Sequence, residues 1–277
     1  METAVERWQA LLDARARQMD SAYARLGRTS ADFWDRRARG YHRSTKQTAL
    51  TDPFFRRVSS EVKPQMSVLD VGAGTGRFAL ALAPLVRHVT AVEPNVSMLS
   101  FLRQDAQEAG FTNISFVQAS WQDAPGDLHA DVVICSHVLY PIRDIEAFLA
   151  KLLKATDRAC YIYHRATSID ALTAPIWRHF HGDERQEPPA YIHVLDVLFE
   201  MGIYADVEIV RIPPSLRYPS LDVAVQELQE QLILPPDEQT GRELRALLQD
   251  WLIERDGLLV PPGGDMVAAI IKISPQD

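Results

Sequence analysis

The run VLDVGAGTGRFA, residues 68–79, places one acid and three glycines ahead of a helix-forming stretch. Gly72, Ala73, Gly74 and Gly76 fall where an apolar strand must turn into a helix. Glycine there lets the backbone turn sharply and approach a ligand closely. The spacing is G-x-G-x-G, not the G-x-G-x-x-G that cradles a pyrophosphate. Asp70 stands two positions before the first glycine; its carboxylate would repel a pyrophosphate but suits a ligand with a cationic amino-acid tail. Glu93 ends the next apolar run, in AVEPN, where an acid can accept hydrogen bonds from two vicinal ribose hydroxyls. Taken singly, Asp70 could cap a turn, the glycines could form a tight loop, and Glu93 could be a solvated strand end. In this order, on a strand–turn–helix–strand frame, they point together to a bound nucleoside.

Short apolar runs alternate with helical patterns around this motif. SVLDVG (67–72), HVTAVE (88–93), ISFVQA (114–119), DVVICS (131–136), ACYIYH (159–164), VEIVRI (207–212) and MVAAIIKIS (266–274) read as seven strands. RFALALAPLV, VSMLSFLRQDAQEAG, DIEAFLAKLLKA and PAYIHVLDVLFEMG read as helices between them. This alternation predicts an α/β fold with a seven-stranded, mostly parallel, doubly wound sheet and helices on both faces. Residues 61–212 and 266–277 would form that domain. Residues 213–265, with PSLDVAVQELQEQL and GRELRALLQDWLIERDG, would be a helical insertion before the last strand. Residues 1–60 would be an N-terminal helical lid. It would hold one helix over 4–26, a second capped by Thr29 or Ser30 and carrying Phe33, Trp34 and Ala38, and a third capped by Thr51 with Pro53 in its first turn.

The glycine turn with Asp70 and Glu93 resembles the first S-adenosylmethionine (SAM)-binding motif of class I methyltransferases of the small-molecule type, and the resemblance extends over about residues 66–212 and the last strand. It implies that the seventh strand is antiparallel and inserted beside the sixth. It implies that the stretch from Gly72 to Gly76, Ala73 included, faces the methionine part of SAM, that Glu93 holds the ribose, and that Pro94 and Met98 line the adenine side. Members often carry an acid after strand three for the adenine amino group; here ASWQD offers Ser120, with Asp123 or Trp121 as alternatives. Ser136-His137-Val138 matches the segment covering the sulfonium. The common Gly-Gly before strand five is absent, the chain reading KATDRACYI. FWDRRARGYHRS (33–44) resembles an N-terminal lid segment whose aromatic residue, here Tyr41, closes over the cofactor.

Methyl transfer from a sulfonium is an in-line displacement, so the protein's work is alignment, water exclusion and, in some cases, removal of one proton. His137, Tyr140, Tyr163 and His164 lie at strand ends and are candidate bases. His137 leads, with Tyr140 beside it, because the end of strand four adjoins the reacting methyl in this family. HFHGDE offers His179, His181 and Asp183 to a metal, but a polar loop after strand five explains it as well, and no metal is assigned. SHVLYP lacks the Asn/Asp-Pro-Pro-aromatic motif of amino-group methylation on adenine or glutamine. No Pro-Cys, HxE…PCxxC, GxSxG or Walker motif occurs.

The chain has 277 residues, 47% hydrophobic and 24% charged, and a net charge of −8. Residues 1–60 hold 12 Lys/Arg against 7 Asp/Glu, and the rest holds 17 against 30. The basic cluster Arg36, Arg37, Arg39, Arg43 and Lys46 is a solvated helix face or a flap that draws in an anionic substrate. The acidic body would repel phosphate, which disfavours a nucleic-acid partner. Cys135 and Cys160 sit in strand-like runs, as reduced buried thiols do. No run suits a membrane span or a secretory leader. The expectation is a soluble, cytoplasmic enzyme that methylates a small molecule from SAM, with no membrane partner and a homodimer left open. An RNA or protein methyltransferase, or a catalytically silent SAM-binding regulatory module, are the alternatives.

Overall fold

The computed structural model of the protein describes residues 2–29, 49–213, 216–262 and 266–275. Tyr41, Phe33, Trp34 and the basic cluster of residues 36–46 lie outside the described residues.

The seven expected strands form one sheet: β1 (Ser67–Val71), β2 (His88–Val92), β3 (Ile114–Val117), β4 (Ala130–Ser136), β5 (Thr156–Arg165), β6 (Asp206–Ile212) and, last in the chain, β9 (Met266–Ile273). Their order is β3-β2-β1-β4-β5-β9-β6. β1 to β5 pair in parallel, and β9 runs antiparallel between β5 and β6. The order in which strands are added to the sheet reverses between β1 and β4. At such a point the crossovers leave on opposite faces and open a crevice at the strands' carboxyl ends.

Alternation along each strand feeds two cores. Leu69, Val133, Cys135, Cys160, Ile162 and Ile271 face one side, and Val68, Val132, Ile134, Tyr161, Tyr163 and Ile270 face the other. The first side is covered by α1 (Ala4–Arg25), α5 (Ile145–Lys154) and α7 (Tyr191–Glu200). The second is covered by α2 (Pro53–Ser59), α3 (Arg77–Leu82) and α4 (Val96–Glu108). The helix starts follow local chemistry: Asn95, Asp144 and Ser168 each accept a backbone N–H of the first turn. For α2 the cap is Asp52, not Thr51; Asp52 accepts the Phe54 N–H at 2.8 Å.

Two elements differ from expectation. Residues 179–184 were expected as a polar loop, but His179 and His181 belong to the last turn of α6 (Ile169–His181). Pro175 and the polar start hide that helix in the sequence. The helix over GRELRALLQDWLIERDG is also shorter than its pattern. After α8 (Leu221–Gln231), α9 (Glu238–Trp251) gives way to a hairpin, β7 (Ile253–Arg255) and β8 (Leu258–Val260). Asp256 and Gly257 turn that hairpin with φ of 51° and 74°. Two central residues with positive φ, filled by Asp-Gly, match the twist of the flanking strands.

A third core joins α6, α8 and α9 to the end of α1 through Trp177, Leu228, Leu244, Leu248 and Tyr23. His179 and His181 serve this junction, on Glu243 at 2.6 Å and on the Leu232 carbonyl at 2.8 Å, and Asp183 accepts the Trp177 indole N–H at 2.9 Å. Among the described residues no helix is long and apolar enough to cross a membrane.

Candidate active site

Gly72, Gly74 and Gly76 link β1 to α3 with φ of 73°, 56° and 87°. Gly72 and Gly76 have no room for a side chain. A Cβ on Gly72 would lie 2.3 Å from Val138 Cγ2, and one on Gly76 would lie 2.2 Å from Leu102 Cδ1. The turn is therefore set by both its own conformation and the neighbours that close on it. Arg77, next in the chain, donates to buried Asp52 at 2.6 Å and so ties the start of α2 to the glycine turn. This pair was not visible as a site feature in the sequence. Only Asp52 standing before Pro53, and Arg77 following the last glycine, hint at it.

Asp70 and Glu93 are both buried beside this turn. Among the described residues Asp70 Oδ2 has no hydrogen-bond partner. Burial, and secondarily the Glu93 charge, push the Asp70 carboxyl up to about 7, against a hydrogen bond from the Ala79 backbone that lowers it. Glu93 Oε2 accepts the Gly74 N–H at 2.9 Å and Oε1 accepts the Asn95 N–H at 2.8 Å. Burial raises the Glu93 carboxyl as well, and those two amides oppose the rise. Each Glu93 oxygen keeps a further lone pair. The residues therefore fit the expected group: a buried acid with one oxygen unpartnered among the described residues for a cationic tail, and a fixed carboxylate with acceptor capacity for two hydroxyls.

Met98 is buried at the start of α4, where its N–H is held by Asn95 at 2.9 Å, and Pro94 is exposed just before it. Ser120 Oγ is engaged locally: it donates to Asp123 Oδ2 at 2.5 Å and accepts the Asp123 N–H at 3.2 Å. Trp121 is a core residue, with Lys151 Nζ 4.8 Å from its ring centroid and bonded to its carbonyl at 2.7 Å.

The carboxyl ends of β4 and β5 gather the other candidates. Ser136 ends β4. His137 follows in the left-handed region, φ 58°, which is costly for a residue with a Cβ. Its N–H donates to the Tyr163 carbonyl at 2.8 Å, and its ring lies on Tyr163 with centroids 4.6 Å apart. His137 Nδ1 meets Tyr140 Oη at 3.1 Å, and Tyr140 Oη accepts the Arg165 N–H at 3.2 Å. Desolvation holds the His137 imidazole well below its usual range, and Arg165, His164 and Arg77 add to this by repulsion.

His164 is buried with Nε2 2.9 Å from the Pro189 carbonyl, and Tyr140 stacks on it at 4.4 Å. Burial lowers His164 to about 4, although the Pro189 carbonyl favours the cation. Tyr163 stacks on Phe54 at 4.7 Å; burial and the Asp52 charge raise its phenol.

α1 crosses above the loops that follow β4 and β5. Trp8, fully buried, donates its indole N–H to the Ile142 carbonyl at 2.7 Å. Arg15 pairs with Asp170 at 2.9 Å, and Asp170 also receives Arg185 at 2.8 Å, whose guanidinium lies 3.8 Å from the Trp177 ring centroid. Asp13 pairs with Arg143. Sequence reading did not single out this network, since its members are far apart in the chain.

A glycine turn after β1, acids at the ends of β1 and β2, and an antiparallel strand inserted beside β6 define a class I, Rossmann-like methyltransferase architecture. Comparison with known proteins agrees. A family model described as a methyltransferase domain matches residues 62–184. An uncharacterized methyltransferase of Bacillus subtilis, YcgJ, is 30% identical over 112 residues, 39% of this chain and 44% of that protein. Its crystal structure superposes with a TM-score of 0.55 at 17% identity, covering 85% of this chain and 99% of that one. A ubiquinone biosynthesis O-methyltransferase of Rickettsia conorii is 30% identical over 100 residues, 36% of this chain and 34% of that protein. A magnesium protoporphyrin IX methyltransferase from Synechocystis, solved with S-adenosylhomocysteine (SAH), gives a TM-score of 0.52 at 13% identity, covering 85% and 84%. The chain's matches span about half the length of the first curated relatives. Residues 62–184 thus match a methyltransferase domain, on a fold shared with solved methyltransferases.

Proposed function

We propose that the protein transfers a methyl group from SAM to a small-molecule acceptor held between the ends of β4 and β5 and the N-terminal segment. The observation that carries this reading is the buried pair Asp70 and Glu93 beside three glycines of positive φ. In it, Asp70 takes the cationic amino group, Gly72, Ala73, Gly74 and Gly76 cradle the methionine part, and Glu93 takes the ribose hydroxyls. Pro94, Met98, Ser120 and Trp121 flank the adenine, and Ser136 lies toward the sulfur. When bound, SAM would supply an electrophilic methyl group with a neutral thioether as its leaving group, for in-line displacement by the acceptor. His137 and Tyr140 face the acceptor. Residues 1–60, with Tyr41, act as the cover and exclude water. The relative named for ubiquinone biosynthesis supports a small-molecule acceptor. The reading includes a cytoplasmic protein, whose acidic body leaves nucleic acid outside its partners.

Calorimetry tests it. SAH should bind and NAD should not. Glu93→Ala should keep the fold and lose about 2–3 kcal/mol of SAH affinity, the usual worth of hydrogen bonds to a charged group. Binding of NAD without response to SAH overturns the assignment, and full SAH affinity in Glu93→Ala places the ribose elsewhere.

A further inference from the structure

We propose that two copies of this chain associate edge to edge through β6, antiparallel across a two-fold axis at Ile209, so that one sheet runs through both. The interface lies at the outer edge of the sheet, beyond β5 and β9, and does not depend on the proposed methyl transfer.

β6 is the outermost strand on its side of the sheet. Among the described residues it pairs only with β9, and its outer side carries backbone donors and acceptors open to a further strand. Folded proteins commonly blunt such an edge by keeping it short, by a proline, by a bulge or by charges. β6 has seven residues, no proline, and an unbroken register with β9 from Asp206 to Ile212. Only its charges, Asp206, Glu208 and Arg211, stand against further pairing.

The side chains along this edge are apolar and exposed. Of nine large hydrophobic side chains exposed among the described residues, five lie here: Ile192 and Phe199 on α7, Tyr204 after it, and Val207 and Ile209 on β6. Phe199 is 66% exposed, Tyr204 73% and Ile209 52%. They share one face. Val207 and Ile209 pair with Ile271 and Ala269, which belong to the core beneath α7. Ile192 and Phe199 lie two turns apart on α7, on the side away from Val194, Val197 and Leu198, which enter that same core. Phe199 and Tyr204 meet edge to face with centroids 6.1 Å apart. An apolar patch of this kind beside an open strand edge marks an interaction surface.

The charges select a second copy as the occupant. β6 reads DVEIVRI, with its acids at the start and its base at the end, so an antiparallel copy brings acidic start to basic end. With the axis at Ile209, Ile209 lies opposite Ile209, Val207 opposite Arg211, Glu208 opposite Val210 and Asp206 opposite Ile212. No charge then lies opposite a like charge. Glu208 keeps Arg57, 3.8 Å away. Arg211 is carried toward Phe199 and Tyr204 of the other copy, and arginine and aromatic side chains are enriched at interfaces. A two-residue slip in one direction puts Glu208 opposite Glu208. In the other it sets Ile209 against Arg211 and Val207 against Pro213, which has no N–H to give. A single-residue slip turns the apolar faces to opposite sides. The two-fold operation covers the same patch on both copies at once.

Sedimentation equilibrium of the full chain tests this. The expected particle holds two chains, one chain being 31.2 kDa. Ile209→Lys places two ammonium groups opposite each other on the axis and should weaken the dimer about tenfold or more. Phe199→Ser, outside the paired backbone, should weaken it less. Both positions are exposed, so the far-UV spectrum and cooperative unfolding should be kept. Cysteine placement reads the register. Ile209→Cys sets two thiols on Cα atoms about 5 Å apart, within disulfide reach, and mild oxidation should link the copies. Val207→Cys sets them ~14 Å apart and should not. The native Cys135 and Cys160 are buried and leave this readout clear. A single chain at every concentration reached, a dimer indifferent to both Ile209→Lys and Phe199→Ser, or linkage through position 207 as ready as through 209 overturns the proposal.

Discussion

The two halves of the crevice keep buried ionisable groups of opposite kind. On the β1–β2 side Asp70 and Glu93 are acids whose ionisation burial opposes, and the Glu93 charge adds to the rise at Asp70. On the β4–β5 side His137 and His164 are bases whose protonation burial opposes, among Arg77 and Arg165. Desolvation comes first in all four cases, and like charges add to it at Asp70, His137 and His164. Backbone groups offset part of that cost at Asp70, Glu93 and His164. The lesson is that burial keeps both halves of the crevice short of charge, and on the proposed reading the cationic tail of SAM relieves the acids.

The largest expected effect breaks the acid half mechanically. Gly76→Val adds a Cβ 2.2 Å from Leu102 Cδ1 at a φ of 87°. Strain and overpacking together should cost roughly 3–5 kcal/mol in urea unfolding, and SAH binding should be lost. A variant as stable as the parent would show that the turn is not held by its neighbours.

A smaller effect sharpens the electrostatic contrast. Asp70 titrates near 7 in the folded protein and near 3.8 unfolded, so between those values the folded state holds the extra proton. Its contribution to stability is complete below 3.8 and is lost as pH rises through about 7. Asp70→Asn removes that loss. Its stability relative to the parent should therefore climb with pH across this window, by at most ~1.4 kcal/mol per pH unit. His164 has the opposite sign, losing stability as pH falls from 6.5 toward about 4, but it is common to both proteins and cancels. A flat difference between the two curves would mean that Asp70 is ionised without cost.

The smallest concerns the element above the basic half. Trp8→Phe keeps most of the buried ring and removes one indole N–H from the Ile142 carbonyl. About 1 kcal/mol of stability should go, read from the shift of the urea midpoint at unchanged slope.

The two halves also differed in how far they could be read from the sequence. The acid half is encoded within one strand–turn–helix–strand unit, so Asp70, the glycines and Glu93 announce themselves by spacing. The seven strands and the place of the last one followed from alternation and family resemblance. The basic half assembles from β4, β5, α1, α3 and the loop before α7. His137 and Tyr140 could be proposed, but their mutual bond, the Asp52–Arg77 tie and the Arg15–Asp170–Arg185 cluster depend on contacts across long separations. α6 was hidden by Pro175 and by a polar run that reads as a loop. The β7–β8 hairpin was hidden because WLIERDGLLV continues a helical pattern, although Asp256-Gly257 is a strong turn signal.

The insertion of β9 between β5 and β6 has a consequence for biosynthesis. Among the described residues β6 pairs in the sheet only with β9, and β5 gains its second neighbour from the same strand. While the chain is being made, β1 to β5 can assemble in order of appearance, but β6 must wait until Met266–Ile273 leaves the ribosome. Until then β5 presents an open apolar edge, and sheet closure depends on contacts of long sequence separation, the slow kind. An edge whose partner is made last is the place where wrong strand pairing can compete with the native one.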